Sequence, residues 1–368
     1  MSNVIFSIKL KMIFMKRVLI TLMSICVWGV EAFACTGISL SAEDGSYIQG
    51  RTIENSKMSL PSEYVIIPRG ESLSSFTPVN ADGMKYKAKY GVVGLSVVQK
   101  EFIAEGINEK GLSAGLFFFP NYGSYKPFDE IDEYYTIGDL QLVQWMLTQF
   151  SSVDEVIEGL ETVRVAGLDA LAVVHWRIAD ASGRQVVLEF EDGVPLVYEN
   201  TVGVITNAPS FDWHLTNLNN YVNLFSGDAS DKMMGEFRVS PIGGNSGFLG
   251  LPGDATPPSR FVRAAFYKET APRLATAEKT VMQCFHILNN FDIPIGTEHK
   301  VGMAPDLPSA TQWTSVIDLT NRKVYYKTFH NNTIRCIDLS SINFAKVKYQ
   351  SHPLDELEKQ PIEMIKVK

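Results

Sequence analysis

The sequence predicts an α+β fold in which sheets pack together and helices lie outside, and two observations carry the prediction. Apolar alternation of period two dominates the chain from Thr36 to Phe119, returns in its middle and closes it, while two separate stretches switch to helical periodicity. The order is therefore strands, helices, strands, helices, strands. No linker, low-complexity stretch or repeat divides it, so one domain is expected over residues 35–345, followed by a polar C-terminal segment over 346–368.

The opening half reads as β. Gly37-Ile38-Ser39-Leu40 and Tyr64-Val65-Ile66-Ile67 alternate, and Asp44-Gly45 and Asp82-Gly83 are turn signals. From Ile137 to Leu160, Leu140, Leu142, Val143, Met146 and Leu147 share a helical face. Ser152 with Glu155 has the spacing of a capping box opening a second helix. Strands return at Leu171 to Ile178, Gln185 to Phe190 and Leu196 to Thr206, joined by turns at Ser182-Gly183 and Asp192-Gly193. Pro257-Pro258 introduces a helix from Ser259 to Lys268, and another runs from Ala277 to Leu288. Trp313 to Leu319, Lys323 to Phe329 and Thr333 to Leu339 form a closing meander, with turns at Thr320-Asn321-Arg322 and Asn331-Asn332.

At the N-terminus, Lys9, Lys11, Lys16 and Arg17 precede an apolar run from Val18 to Val30, which ends at Ala32-Phe33-Ala34. A charged start, an apolar stretch too short to span a bilayer and a small-x-small ending describe a signal peptide over 1–34, cut after Ala34. Met15 to Ala34 is a complete leader by itself, so Met15 is a candidate for the true start. Cleavage leaves 334 of the 368 residues, enough for a proper core, and 29 basic against 40 acidic residues. That balance holds no basic stripe, so nucleic acid is not an expected partner. The leader places the protein in a periplasm or outside the cell.

Cleavage after Ala34 would also make Cys35 the first residue. A thiol and a free α-amine on one residue combine a nucleophile with a base, the chemistry of N-terminal-nucleophile amide hydrolases. An α-amine titrates near ~8 and a thiol near ~8.5, so a small local shift lets the amine take the thiol proton. The same placement suits a bacterial lipoprotein, which carries its lipid on such a cysteine. Phe33 stands where a lipobox has Ser, Ala or Gly, and the leader by itself leaves both readings open.

The other cysteines of the cleaved chain are Cys284 and Cys336, far apart in sequence and both in apolar patterns that suit core positions. In oxidising surroundings they could also pair. The six histidines show no HxH or HExxH spacing, so no metal and no cofactor is expected. Gly244-Asn245-Ser246-Gly247-Phe248 lacks the last glycine of a nucleophile elbow, and the glycines from Gly243 to Gly253 lack the GK[ST] of a phosphate loop.

Several collinear blocks resemble the choloylglycine hydrolase family, which includes conjugated bile salt hydrolases and penicillin V acylases. They are Cys35-Thr36-Gly37, Gly50-Arg51, Gly106-Ile107-Asn108-Glu109-Lys110-Gly111-Leu112 and Thr206-Asn207-Ala208-Pro209-Ser210-Phe211-Asp212-Trp213-His214. Gly250-Leu251-Pro252-Gly253-Asp254, Pro258-Ser259-Arg260-Phe261, Phe285-His286-Ile287-Leu288-Asn289-Asn290 and Thr311-Gln312-Trp313-Thr314-Ser315 continue the series. The resemblance implies a four-layer αββα sandwich of the N-terminal-nucleophile hydrolase type, with Cys35 opening an internal strand, and an enzyme rather than a lipid-anchored protein. Homotetramers are common in the family, so self-association is implied as well.

Carried over residue by residue, the resemblance makes Arg51 the cation beside the nucleophile and Asn207 the side-chain donor to the tetrahedral oxyanion. Arg260 becomes the second active-site arginine. Glu54 falls where the family has an aspartate holding the N-terminal amine, one methylene shorter. Phe118 departs further, since the family has asparagine or tyrosine there and phenylalanine cannot donate. A backbone amide, that of a neighbouring residue, would have to join Asn207 at the oxyanion. Phe117, Phe118, Tyr122 and Trp213 are the aromatic candidates for binding a flat apolar acyl group, with the core as the competing role for Phe117 and Phe119. The substrate implied is a glycine- or taurine-conjugated bile salt, the alternatives being penicillin V, a long-chain N-acyl homoserine lactone, or a non-catalytic lipid-anchored protein.

Overall fold

The computed structural model describes residues 34–55, 60–79, 82–169, 172–297, 302 and 310–367; apart from Ala34, the expected leader lies outside them. The first strands are β1 (Cys35–Ser41), β2 (Tyr47–Asn55), β3 (Ser62–Ile67), β4 (Ser72–Phe76), β5 (Asp82–Lys87), β6 (Val92–Val97), β7 (Ile103–Asn108) and β8 (Ser113–Phe118). A short β9 (Thr136–Gly138) leads to helices α1 (Leu142–Gln149) and α2 (Val153–Leu160), then to β10 (Arg164–Ala166), β11 (Val174–Ala179), β12 (Gln185–Glu191), β13 (Val194–Glu199) and β14 (Val204–Ile205). Helix α3 (Phe211–Leu218), the hairpin β15 (Lys232–Met234) and β16 (Phe237–Val239), and helices α4 (Pro257–Thr270) and α5 (Ala277–Leu288) follow. The chain closes with β17 (Ala310–Asp318), β18 (Lys323–Thr328), β19 (Arg335–Asp338) and β20 (Gln350–Pro353).

Two large sheets form the centre. One has the order β14-β1-β2-β17-β18-β19, the other β13-β12-β11-β8-β7-β6-β3-β20. Helices α4 and α5 pack on β1, β2 and β17 of the first, and α1 packs on β7 and β8 of the second. The layers are thus helix, sheet, sheet, helix, as the resemblance implied. Every residue of β7, β8, β11 and β17 is buried, because these strands are covered on both faces.

Local sequence explains the helix ends. Ser152 caps α2 by accepting from Glu155 N at 3.3 Å, but Glu155 Oε2 returns its bond to Ser151 N, at 2.6 Å, instead of closing the expected box on Ser152. Pro257 opens α4, where its missing N–H costs nothing. Thr276 caps α5, which buries Val281, Cys284, Phe285 and Leu288 along one face.

Several parts of the chain differ from expectation, among them Leu196 to Thr206, which forms two strands, β13 and β14, in different sheets. Residues 350–353, read as polar tail, pair with β3 at the sheet edge, and Leu354 beyond them is buried, so the fold continues past 345. Helix α3 and the hairpin β15–β16 occupy a stretch with no assigned elements. Cys336 is exposed, not core, because β19 is an edge strand covered poorly on its outer side; Cys284 is buried, and both thiols are free. Among the described residues no helix is long and apolar enough to cross a membrane.

Candidate active site

Strand register assembles the site. In the antiparallel pair of β1 and β2, Cys35 lies opposite Ile53 and Gly37 opposite Arg51, which sets the thiol and the guanidinium on one face. That face looks into the space between the sheets. A Cβ on Gly37 would stand 2.8 to 2.9 Å from Ile205, the Arg177 guanidinium and the Phe117 ring, so only glycine fits two residues after the cysteine. Gly50 serves the opposite face, where a Cβ would meet Cys284 Sγ at 2.7 Å and Leu288 at 2.8 Å on α5.

Arg51 is fully buried and donates through Nη2 to Cys35 Sγ at 2.9 Å. Its Nη1 reaches Ala104 O at 3.0 Å and Leu116 O at 2.5 Å, which locks the guanidinium across β7 and β8. Burial pushes the Cys35 thiol up; Arg51 works most strongly against burial, Glu54 adds to it, and Arg260 and the Phe118 amide pull the thiol back. A backbone N–H facing the sulfur is that of Phe118. Its phenyl group is irrelevant to that contact.

On the other side of Cys35, α4 and the turn after β14 form a hydrogen-bonded frame. Cys35 N donates to Asn207 Oδ1 at 2.9 Å, and Arg260 Nη2 donates to the same oxygen at 2.7 Å. Asn207 Nδ2 donates to Phe118 O at 2.8 Å, which uses one of its two protons. Arg260 is buried and also holds Cys35 O, Thr36 Oγ1 at 2.8 Å and Ala255 O at 2.8 Å. Ala34 precedes Cys35 here, so the Cys35 nitrogen is a peptide N–H standing where the α-amine of a cleaved chain would be. Glu54 is buried beside it: its N–H donates to Ala34 O at 2.9 Å and its Oε1 accepts from Thr311 Oγ1 at 3.0 Å.

The aromatic candidates separate. Phe117 is 0 % exposed, with the Arg51 guanidinium 4.1 Å and that of Arg177 5.6 Å from its ring centre. It supports Arg51 from within the core and does not line a binding surface, because alternation turns it toward the facing sheet. Phe118 enters the site through its backbone. Tyr122 is 51 % exposed beside the buried Phe119, and Trp213 is 43 % exposed on α3. The rings they meet are those of Phe119 and His214, at 5.9 and 5.5 Å between centres.

Two buried groups went unassigned in the sequence, although His214 closes the block from Thr206 to His214. Glu105 on β7 joins Arg177 Nη2 at 3.0 Å and approaches Arg51 Nη1 at 3.7 Å, so it partly balances two buried cations. His175, Glu189 and His214 gather behind Asn207. A possible signal is Gly115, where a Cβ would stand 2.1 Å from Glu105 Oε2, but it shows only once β7 and β8 are paired. The Cys284 thiol is pushed up to about 12 by burial, an inert core residue. No cluster of His, Cys, Asp and Glu able to hold a metal occurs among the described residues.

The chain is similar to known proteins in sequence and in fold. The choloylglycine hydrolase family of linear amide C–N hydrolases matches residues 35–354. A bile salt hydrolase/transferase of Clostridium perfringens is 34% identical over 317 residues, which cover 84% of this chain and 93% of the relative. A penicillin V acylase of Pectobacterium atrosepticum is 29% identical, over 71% of this chain and 69% of its own length. Among solved structures, a mutant conjugated bile acid hydrolase from Clostridium perfringens superposes with a TM-score of 0.78 at 30% identity, covering 90% of this chain and 100% of that one. Penicillin V acylase from Agrobacterium tumefaciens shares the fold, with a TM-score of 0.69 at 23% identity over 85% of this chain and 88% of its own.

Proposed function

The chain belongs to the choloylglycine hydrolase family of linear amide C–N hydrolases, and from that premise we propose that it is an exported amidase that cleaves glycine- or taurine-conjugated bile salts with Cys35 as an N-terminal nucleophile. The observation that carries the proposal is the pair of contacts on one residue: Arg51 Nη2 at 2.9 Å from Cys35 Sγ, and Asn207 Oδ1 at 2.9 Å from Cys35 N. Thiol and nitrogen are each held, and held by different residues.

Burial raises the thiol, so it waits protonated and needs a base at the moment of attack. The α-amine released by cleavage after Ala34 is that base. Sγ forms a bond to the amide carbonyl carbon while the amine takes the thiol proton, and the carbonyl oxygen becomes an oxyanion. The Phe118 N–H and the second Nδ2 proton of Asn207 stabilise that oxygen. The amine then passes its proton to the leaving nitrogen, the C–N bond breaks, and glycine or taurine departs. Water attacks the thioester, giving up a proton to the amine, and releases the acid and the thiol.

Bile salts are favoured by the relatives and structures at 30% identity or above, whose names carry bile salt or bile acid hydrolysis. Penicillin V is the second reading, supported by the acylase relative; Phe118, neither the asparagine nor the tyrosine of the family, favours neither substrate. The test is turnover by protein beginning at Cys35, scoring glycine and taurine from conjugated bile salts against phenoxyacetate from penicillin V. Faster release of glycine or taurine is expected, and faster release of phenoxyacetate would move the chain to the second reading. Export rests on the leader, and the mass of the secreted N-terminus checks cleavage after Ala34.

A further inference from the structure

Asn207 stands where the sheet stops supporting the chain. The ladder between β14 and β1 ends with Gly37 opposite Ile205, so the carbonyls of Thr206 and Asn207 fall beyond it. Buried carbonyls without a ladder partner need other donors. Two histidine rings provide them.

His214, on the buried side of α3, sets Nε2 2.8 Å from Asn207 O. A carbonyl oxygen only accepts, so Nε2 carries the proton. The ring lies stacked on Phe261, 4.6 Å between centres and 9° from parallel, next to Arg260 on α4. Its Nδ1 is buried with no hydrogen-bond partner among the described residues, as suits a ring with a single proton on Nε2. Burial pushes the group down to about 4, which keeps it neutral at neutral pH. His175 sets Nε2 3.2 Å from Thr206 O and Nδ1 3.1 Å from Glu189 Oε1, and that same oxygen accepts from Phe211 N, the first residue of α3, at 3.0 Å.

We propose that His214 is a positioning residue for the amide hydrolysis: its Nε2–H fixes the Asn207 backbone, and through it the side-chain amide at Cys35, while Glu189 and His175 tie the preceding carbonyl to the start of α3. The inference rests on the reading of Asn207 as an oxyanion donor. Asn207 Nδ2 already spends one proton on Phe118 O, so a small rotation of its backbone would swing the second proton off the oxyanion. His214 prevents that rotation without touching substrate.

The experiment compares His214→Phe, His214→Gln and Asn207→Ala with the unchanged protein beginning at Cys35, on whichever of conjugated bile salt or penicillin V it turns over, and measures Cys35 alkylation by iodoacetamide alongside. Phenylalanine keeps the stack on Phe261 and removes the donor; glutamine restores a donor. His214→Phe is expected to lower kcat about tenfold with KM within about twofold and alkylation unchanged, and His214→Gln to recover most of kcat. Should His214→Phe fail to fold, His214→Met, also lacking a donor, takes its place. Unchanged kcat in the donor-less variant, or His214→Gln as slow as His214→Phe, would overturn the inference while a slow Asn207→Ala upholds the oxyanion reading. An Asn207→Ala as fast as the unchanged protein, or no turnover of either substrate, overturns that reading and this inference with it.

Discussion

The two sides of Cys35 are built from different physics. Between the sheets, Arg51, Arg177 and Glu105 bring full charges into a buried layer, and the thiol meets a guanidinium at 2.9 Å. Toward α3 and α4, backbone carbonyls, Asn207, Thr36 and neutral His214 make a hydrogen-bonded frame in which Arg260 serves mainly as a bracket with several acceptors. The first side holds Arg51, the strongest of the groups that ease loss of the sulfur's proton, with Arg260 on the other side adding a smaller pull. The second sets where the nitrogen and the oxyanion sit, so substitutions on the two sides should leave different signatures.

The largest effect is expected on the frame side. Asn207→Ala removes the proposed oxyanion donor and the acceptor of the Cys35 nitrogen, and kcat should fall by about 10²- to 10³-fold. The pH profile of Cys35 alkylation should stay close to that of the unchanged protein; a large displacement would show that the frame also sets thiol ionisation and would break the distinction. Arg51→Leu should do the reverse. Loss of the strongest influence opposing burial moves the alkylation profile to higher pH, and kcat/KM at neutral pH drops on the order of tenfold or more. A profile left in place would mean that Arg51 is only a strut between β2, β7 and β8.

A third substitution lies outside both sides and sharpens the comparison as a control. Asp139 is buried and pushed up to about 7, chiefly by desolvation. A carboxyl raised in the folded state stabilises while protonated, fully below the unfolded value near 3.8, and that contribution disappears as pH rises through about 7. The wild-type protein should therefore lose roughly 4 kcal/mol between those limits, an order-of-magnitude figure from ~1.4 kcal/mol per unit. Denaturant melts of Asp139→Asn should show a flatter dependence in that window, with kcat hardly changed.

Much of the layer order was legible because periodicity reports which faces are covered, and α5 matched its expected limits because Thr276 and a regular apolar face mark it locally. Arg51, Asn207 and Arg260 were legible through collinear blocks, and the structure brings all three to Cys35. What escaped was non-local. Glu105 and Arg177 look like ordinary strand residues until β7, β8 and β11 lie against β2. Helix α3 was hidden because its eight residues include Asp212, Asn217 and a half-exposed Trp213, a weak apolar face for so short an element. Cys336 misled because an apolar strand pattern does not reveal an edge position, whereas Phe117 takes the core role, one of the two its alternation allowed.

The central claim is that one residue supplies both nucleophile and base, and the most direct measurement compares turnover by protein beginning at Cys35 with turnover by protein that keeps Ala34. With Ala34 in place the nitrogen is an amide and cannot take a proton, so the account predicts a loss of at least about 10²-fold in kcat, the usual worth of a general base. Equal turnover by the two proteins would contradict it and place the base elsewhere.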